Sequence, residues 1–257
     1  MRRDRDCSLK TMKKSIALIT GGTRGLGLEI SRELARAGYS VIAVYGNDDE
    51  SAAALLAEGV ENGWELQTRK VDLGSLDQVA DLFRSLPSED RLEILVNNAS
   101  PGFTPTQFHK WTMEDFGNLL NVNVTASFRM CQLAIPRMKT TGRGRIINIL
   151  SANTLGNPAV GSSGYVVAKY ALLGLTRSLA VEYAKNNITA NAISPGAMEC
   201  GIFEAWPEIL REMVLQQTPY KRAIDPSKVA KLVGILVSTS GDAINGCNLP
   251  VTEGAAV

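Results

Sequence analysis

Two residues four apart, Tyr165 and Lys169, follow Ser151 and carry the clearest chemical potential in this chain. On a helix such residues share one face, so the phenol and the ammonium point the same way. A phenol of ordinary pKa, about 10, is a poor proton donor or acceptor near neutrality. A nearby cation favours the phenolate, and so does the positive end of a helix. The pairing therefore predicts a Tyr165 pKa drawn down by Lys169, giving an acid–base group without histidine. The chain has a single His, at His109, in a polar loop that offers it no metal partners and reads as surface. The same Tyr–Lys spacing also suits an amphipathic helix with no chemical task.

A second group of residues could hold an anion. Thr20-Gly21-Gly22-Thr23-Arg24-Gly25-Leu26-Gly27 joins a short apolar run to a stretch with helical spacing. Glycines there let the backbone turn sharply and approach a pyrophosphate, whose charge sits at the helix N-terminus. A tight structural turn would use the same residues. The spacing is not GxGxxG and lacks the Lys-Ser/Thr ending of a P-loop, which argues against nucleotide hydrolysis.

These residues need a frame, and the apolar pattern supplies one. Strand-like runs at 15–20, 41–45, 66–71, 92–96, 145–150, 188–193 and 249–251 alternate with helical stretches. The helices fall at 26–37, 48–61, 76–86, 113–138, 165–185 and 229–237, with Pro136 expected to disturb the last turn of the longest. Such alternation means parallel pairing with right-handed crossovers and helices on both faces. The expectation is an α/β, Rossmann-type doubly wound parallel sheet in a single domain, 14–257. Residues 198–221 break the rhythm with Trp206-Pro207, and mark a candidate substrate lid over the crevice. Trp206 would line it. Trp111 is expected to staple the start of the long helix, and Met130 and Cys131 to be packing residues.

Composition narrows the function class. Of 257 residues, 45% are hydrophobic and 21% charged, enough for a sizeable core and too apolar for disorder. A formal net charge of +1 gives no global case for nucleic acid or a membrane surface. Cys7, Cys131, Cys200 and Cys247 form no CxxC pair, so a reducing, cytoplasmic setting without a metal site is expected. No apolar run spans a bilayer. Residues 1–13 read as a disordered basic tail, with Met12 as an alternative start.

Taken in order, TGGTRGLG, Asp72, Asn97-Asn98-Ala99-Ser100, Asn123, Ser151, Tyr165-x-x-x-Lys169 and Ser194-Pro195-Gly196 resemble the short-chain dehydrogenase/reductase family over residues 15–253. Residues 17–47, TPYKRAIDPSKVA and the Asn-Val-Asn-Val-Thr run look most like bacterial 3-oxoacyl-(acyl carrier protein) reductases and their polyketide-pathway relatives. The resemblance implies NAD(P)-dependent interconversion of a ketone and a secondary alcohol, and a homotetramer. It makes Tyr165 the proton donor, and has Ser151 hold the ketone oxygen. Lys169 would lower the Tyr165 pKa and bind the nicotinamide ribose, while Asn123 would keep a water linking Lys169 to solvent. It implies cofactor binding by Thr20, Gly21, Thr23, Arg24, Gly25, Leu26, Gly27, Asp72, Leu73, Asn98, Ala99, Pro195, Gly196 and Met198, besides Tyr165 and Lys169. Read without the resemblance, Asp72 is a helix N-cap and Asn123 merely a poor helix former.

The chain also departs from that pattern. Ser100, followed by Pro101, stands where Gly is usual, the Ser151–Tyr165 spacing is one residue longer than the commonest one, and Cys200 replaces the Thr that holds the carboxamide. Asn245-Gly246 and Val251-Thr252-Glu253-Gly254 replace Thr-Gly and Asp-Gly-Gly, so the C-terminal contacts are expected to differ from the common tetramer. The second strand ends Val44-Tyr45-Gly46-Asn47, with no carboxylate before Asp48, and Arg24 lies in the glycine loop; this favours NADP(H) over NAD(H). The substrate is read as a ketone, a 3-oxoacyl thioester or polyketide intermediate, small or carrier-protein-bound. Free ketones, sugars and steroids are the alternative, and an idle NADP-binding regulator the alternative of another class. An acidic carrier would need cations beside the cleft, for which Arg143, Arg145 and Lys185 are candidates.

Overall fold

The computed structural model describes residues 15–87 and 90–255; the basic start, with Cys7 and Met12, lies outside them. Seven strands form one sheet: β1 (Ser15–Thr20), β2 (Ser40–Tyr45), β3 (Leu66–Lys70), β4 (Arg91–Asn97), β5 (Gly144–Ile149), β6 (Ile188–Pro195) and β7 (Asn248–Val251). Their order is β3-β2-β1-β4-β5-β6-β7, and every pairing is parallel. The chain is the Rossmann-type doubly wound domain that the alternation predicts.

Both faces of the sheet's centre are covered, which is why β1 and β2 read as nearly continuous apolar runs, whereas the edge strand β3 is polar and largely exposed. Alternate residues serve opposite layers. Ile16 and Leu18 of β1 pack on one side with α3 (Leu76–Ser85), α5 (Ala126–Thr141) and α6 (Ser163–Tyr183). Ala17 and Ile19 face the other side, against α1 (Gly25–Arg36) and α8 (Pro226–Val237). The remaining helices are α2 (Asp49–Glu61), α4 (Met113–Leu120) and α7 (Glu208–Gln216).

The helix expected over 113–138 differs in two ways. A π turn, Asn121–Thr125, separates α4 from α5. The helix also runs through Pro136 to Thr141, where Gly142 at φ +71° ends it in the left-handed conformation. Burial of Ala134, Ile135 and Met138 on the sheet outweighs the hydrogen bond lost at the proline. Residues 198–221 leave the sheet after β6 and return to it: Met198 and Ile224 bridge, and α7 lies between them. No helix among the described residues is long and apolar enough to cross a membrane.

Candidate active site

Strand order reverses between β1 and β4, and a crevice opens beyond their C-terminal ends. Thr20, Gly21, Asn98 and Ala99 meet there. The Thr20 hydroxyl accepts the N–H groups of Asn98 (2.9 Å) and Ala99 (3.0 Å). In return the Asn98 amide donates to the carbonyls of Thr20 (2.9 Å) and Gly21 (3.2 Å). The glycine loop is thus tied to the end of β4. A Cβ on Gly27 would lie 1.8 Å from the Gly21 carbonyl oxygen, so only glycine lets α1 start this close to the loop. Gly21 and Gly25 adopt φ +64° and +54°. Thr23 is buried, and Arg24, the N-cap of α1, provides no side-chain cap. The helix start therefore faces the crevice with free N–H groups and no acidic residue in its first turn. These features fit the pyrophosphate of a dinucleotide. One N–H is taken: Leu26 donates to the Cys200 sulfur, which packs on Gly25.

Other expected cofactor residues ring the same crevice. Asp72 is exposed after β3 and accepts the Gly74 N–H at 2.8 Å. Ser75, not Asp72, caps α3. Leu73 packs partly buried on the core. Pro195 ends β6, and the Gly196 N–H donates to the Val251 carbonyl at 3.0 Å.

Proton-handling groups gather beyond β5. Tyr165 and Lys169 sit one turn apart near the start of α6, and Ser151 follows the strand. The Ser151 and Tyr165 hydroxyls are hydrogen-bonded. Lys169, 2% exposed, donates from Nζ to the Ile149 carbonyl at 2.9 Å. Asn123, 1% exposed in the π turn, donates to the Leu119 carbonyl at 3.0 Å. Its Oδ1 is buried without a partner, an acceptor available to a water.

Electrostatics here differ from the expectation. Burial pushes the Tyr165 phenol up to about 12, with Ser151 drawing it back; Lys169 does not bring it down. Burial pushes Lys169 itself down to about 7. Both shifts have one cause: loss of water penalises the charged form of each group. The result is a phenol firmly protonated at neutrality beside an amine that exchanges protons there.

Sequence reasoning missed Phe103, whose ring stacks on Tyr165 with centroids 4.8 Å apart and planes at 24°. The available signal was the Ser100-Pro101-Gly102 departure directly after Ala99. Trp111 directly precedes Thr112, the N-cap of α4. Its indole N–H donates to the Thr106 carbonyl at 3.0 Å and its ring covers Gly164 of α6.

The proposed carrier-binding cations are misplaced. Arg145 is fully buried and ion-paired with Asp242, which Arg143 also approaches at 3.4 Å. Both sit where β5 begins, and Lys185 lies in the turn entering β6, so all three are at the end opposite the crevice. Near the crevice, the 198–221 segment instead presents Glu199, Glu204, Glu208 and Glu212 alongside Arg211, Lys221 and Arg222. Asp48, set aside in the sequence, comes within 3.9 Å of Arg24. Capping bonds from the Ser51 N–H and hydroxyl hold its carboxyl below the usual range.

Residues 15–209 match the family model described as short chain dehydrogenase. An acetoacetyl-CoA reductase of Rhizobium meliloti (strain 1021) is 36% identical over 242 residues, spanning 93% of this chain and 97% of the relative. A 3-oxoacyl-(acyl-carrier-protein) reductase of Staphylococcus aureus (strain N315) is 32% identical over 246 residues, covering 95% and 98%. Among solved structures, an actinorhodin polyketide ketoreductase variant with NADPH superposes with a TM-score of 0.86 at 28% identity, over 95% of this chain and 97% of that one.

Proposed function

Proceeding from the fact that this chain belongs to the short-chain dehydrogenase family, we propose that it reduces a ketone to a secondary alcohol with NADPH, the ketone being a 3-oxoacyl thioester or polyketide intermediate. Family membership makes it an NAD(P)(H)-dependent oxidoreductase of carbonyl and alcohol groups. The observation that carries the finer reading is the convergence of Ser151, Tyr165 and Lys169 on one end of β5, backed by the unpartnered Asn123 Oδ1.

When bound, the nicotinamide cofactor supplies the hydride. The chain does the rest. The glycine loop from Thr20 to Gly27 would hold the pyrophosphate, and Arg24 would pair with the ribose 2′-phosphate. Asp72 and Leu73 would border the adenine, while Asn98, Ala99, Pro195, Gly196 and Met198 would border the ribose and carboxamide. Tyr165 passes its hydroxyl proton to the ketone oxygen as a general acid. Ser151 hydrogen-bonds that oxygen and stabilises its developing charge. Lys169, poised near neutrality, restores the Tyr165 proton, fed by a water on Asn123 Oδ1.

A second reading, a free ketone instead of an acyl carrier's cargo, is favoured by charge. The 198–221 segment sets four glutamates against only Arg211 and Lys221, and the cations expected to attract a carrier lie at the far end of the sheet. That segment is the substrate lid in either reading.

A homotetramer completes the proposal. Outer faces of α5 and α6 expose Phe128, Val167, Tyr170 and Val181, which a second copy would cover. Light scattering at micromolar concentration checks this, and a monomer would refute it. Following NADPH oxidation with acetoacetyl thioesters of coenzyme A and carrier protein, and with free ketones, tests the reaction. Turnover of at least one class supports the reductase; silence with all of them, with NADPH bound, refutes it in favour of an idle binder.

A further inference from the structure

Tyr165 is gripped from a side that the chemistry does not require. The Phe103 ring lies against its ring, and Phe103 belongs to an irregular loop, 98–107, held at both ends. At the far end the Thr106 N–H donates to the Gly161 carbonyl at 2.9 Å, and the Trp111 indole donates to the Thr106 carbonyl. A Cβ on Gly161 would lie 2.8 Å from the Thr106 nitrogen, and one on Gly164 would lie 2.9 Å from the Trp111 ring. Those two glycines let the loop lie flat on the entrance to α6.

The lid reaches the same residue from the other direction. Trp206 donates its indole N–H to the Phe103 carbonyl at 3.1 Å and meets the Phe103 ring edge-on at 5.8 Å and 80°. Phe203 braces Trp206 at 5.9 Å. Contact therefore runs without a gap from the lid through Phe103 to the phenol. Two prolines, Pro101 and Pro105, flank Phe103 and restrict the backbone of the loop that carries it.

We propose that Phe103 is a positioning residue that transmits engagement of the 198–221 lid to the reacting hydroxyl of Tyr165. Lid docking and readying of the proton donor are then one event. The inference rests on the reading of Tyr165 as that donor. With the lid engaged, the Phe103 ring excludes water from the phenol and fixes its orientation; with the lid released, the ring is free to leave and the phenol is wetted. Groups facing Tyr165 are few. Ser151 approaches from the end of β5, and Lys169 Nζ sits 5.3 Å from the ring centroid on the same helix. From the loop the Phe103 ring stacks on it, and the lid's Glu199 and Glu204 bear on Cys200. Desolvation is thus the lever.

The test is titration of Tyr165 in the full chain without substrate, read as phenolate absorbance of each protein minus that of its Tyr165→Phe counterpart. Phe103→Leu should lower the Tyr165 midpoint by about one unit, so that its ionised fraction at pH 10.5 rises several-fold. Phe103→Tyr, which keeps a stacked ring, should restore wild-type behaviour. Trp206→Phe keeps a ring and loses only the indole donor; it should shift the midpoint the same way by a smaller amount. An unchanged midpoint in Phe103→Leu, or in Trp206→Phe, overturns the coupling, and the latter decides alone should Phe103→Leu not fold. Failure of the reductase reading is a separate result, absence of ketone reduction by the wild type, which leaves this titration readable.

Discussion

Lys169 holds its Nζ 5.3 Å from the centre of the Tyr165 ring, yet the two groups are driven apart in pKa, to about 7 and about 12. A charge–charge account would bring the phenol down; burial of both groups wins instead. Under the proposed mechanism, in which the phenol is the acid and the amine its neutral-pH reservoir, these shifts suit reduction more than oxidation.

Tyr165→Phe should therefore fold and bind NADPH normally while ketone reduction falls roughly a hundred- to ten-thousand-fold. Wild-type reduction should not lose rate through phenol ionisation below pH 9. Oxidation of the matching alcohol, which needs the phenolate, should rise by about tenfold per pH unit over the same span. Initial rates in both directions from pH 6 to 10 check this; an oxidation plateau near pH 7 would contradict the raised phenol.

Lys169 makes stability depend on pH with a definite sign. Its folded pKa, about 7, lies below the ordinary value of 10.5, so between these the unfolded chain binds the extra proton. Stability from this group is complete above 10.5 and is lost as pH falls through 7. Lys169→Met removes the titration, so its melting temperature should gain on the wild type on going from pH 10 to pH 6. The corresponding gain in unfolding free energy should be on the order of a few kcal/mol, read by thermal unfolding at each pH.

The proposed preference for NADPH rests on Arg24, whose guanidinium lies 3.9 Å from Asp48. Arg24→Ala should weaken NADPH roughly tenfold while leaving NADH nearly unchanged, since only the 2′-phosphate loses a partner. Asp48→Asn removes a carboxylate that competes for Arg24, and should widen the NADPH preference by a few-fold. Dissociation constants for both cofactors in the three proteins decide the matter. Equal loss of NADH and NADPH in Arg24→Ala would remove its assigned role.

Cys200 sits against the glycine loop with its thiol pushed above the usual range by burial, chiefly, despite the Leu26 N–H. It should therefore alkylate slowly at pH 7.5, more slowly than exposed Cys247, and NADPH should slow it further. Cys200→Thr offers a stronger hydrogen-bonding group at that place and should tighten NADPH by roughly three- to tenfold. Mass-spectrometric labelling and fluorescence titration read these two outcomes.

Much of this was legible in the chain because it depends on local order. Strand and helix alternation announces a doubly wound sheet, since each element's burial is set by its own periodicity. Thr20 to Gly27 could be placed at the first strand–helix turn because glycines between an apolar run and a helical stretch mark such a turn. Tyr165 and Lys169 share a face by helical geometry alone.

What the tertiary structure decided is what depends on water exclusion and on segments far apart in sequence. Arg145 looks like any surface cation until its strand is buried and Asp242, nearly a hundred positions on, closes over it. Asp48 looks too late to matter until the turn after β2 folds it toward Arg24. The Ser100-Pro101-Gly102 departure marks the loop, but the contact of Phe103 with Tyr165 is not legible, because the Gly161–Thr106 bond and the Trp206 latch that hold it there come from two other parts of the chain. The direction of the Tyr165 shift follows the same rule: sequence supplies the charged neighbour, but only the packed site sets how much water remains, and here its loss outweighs the charge.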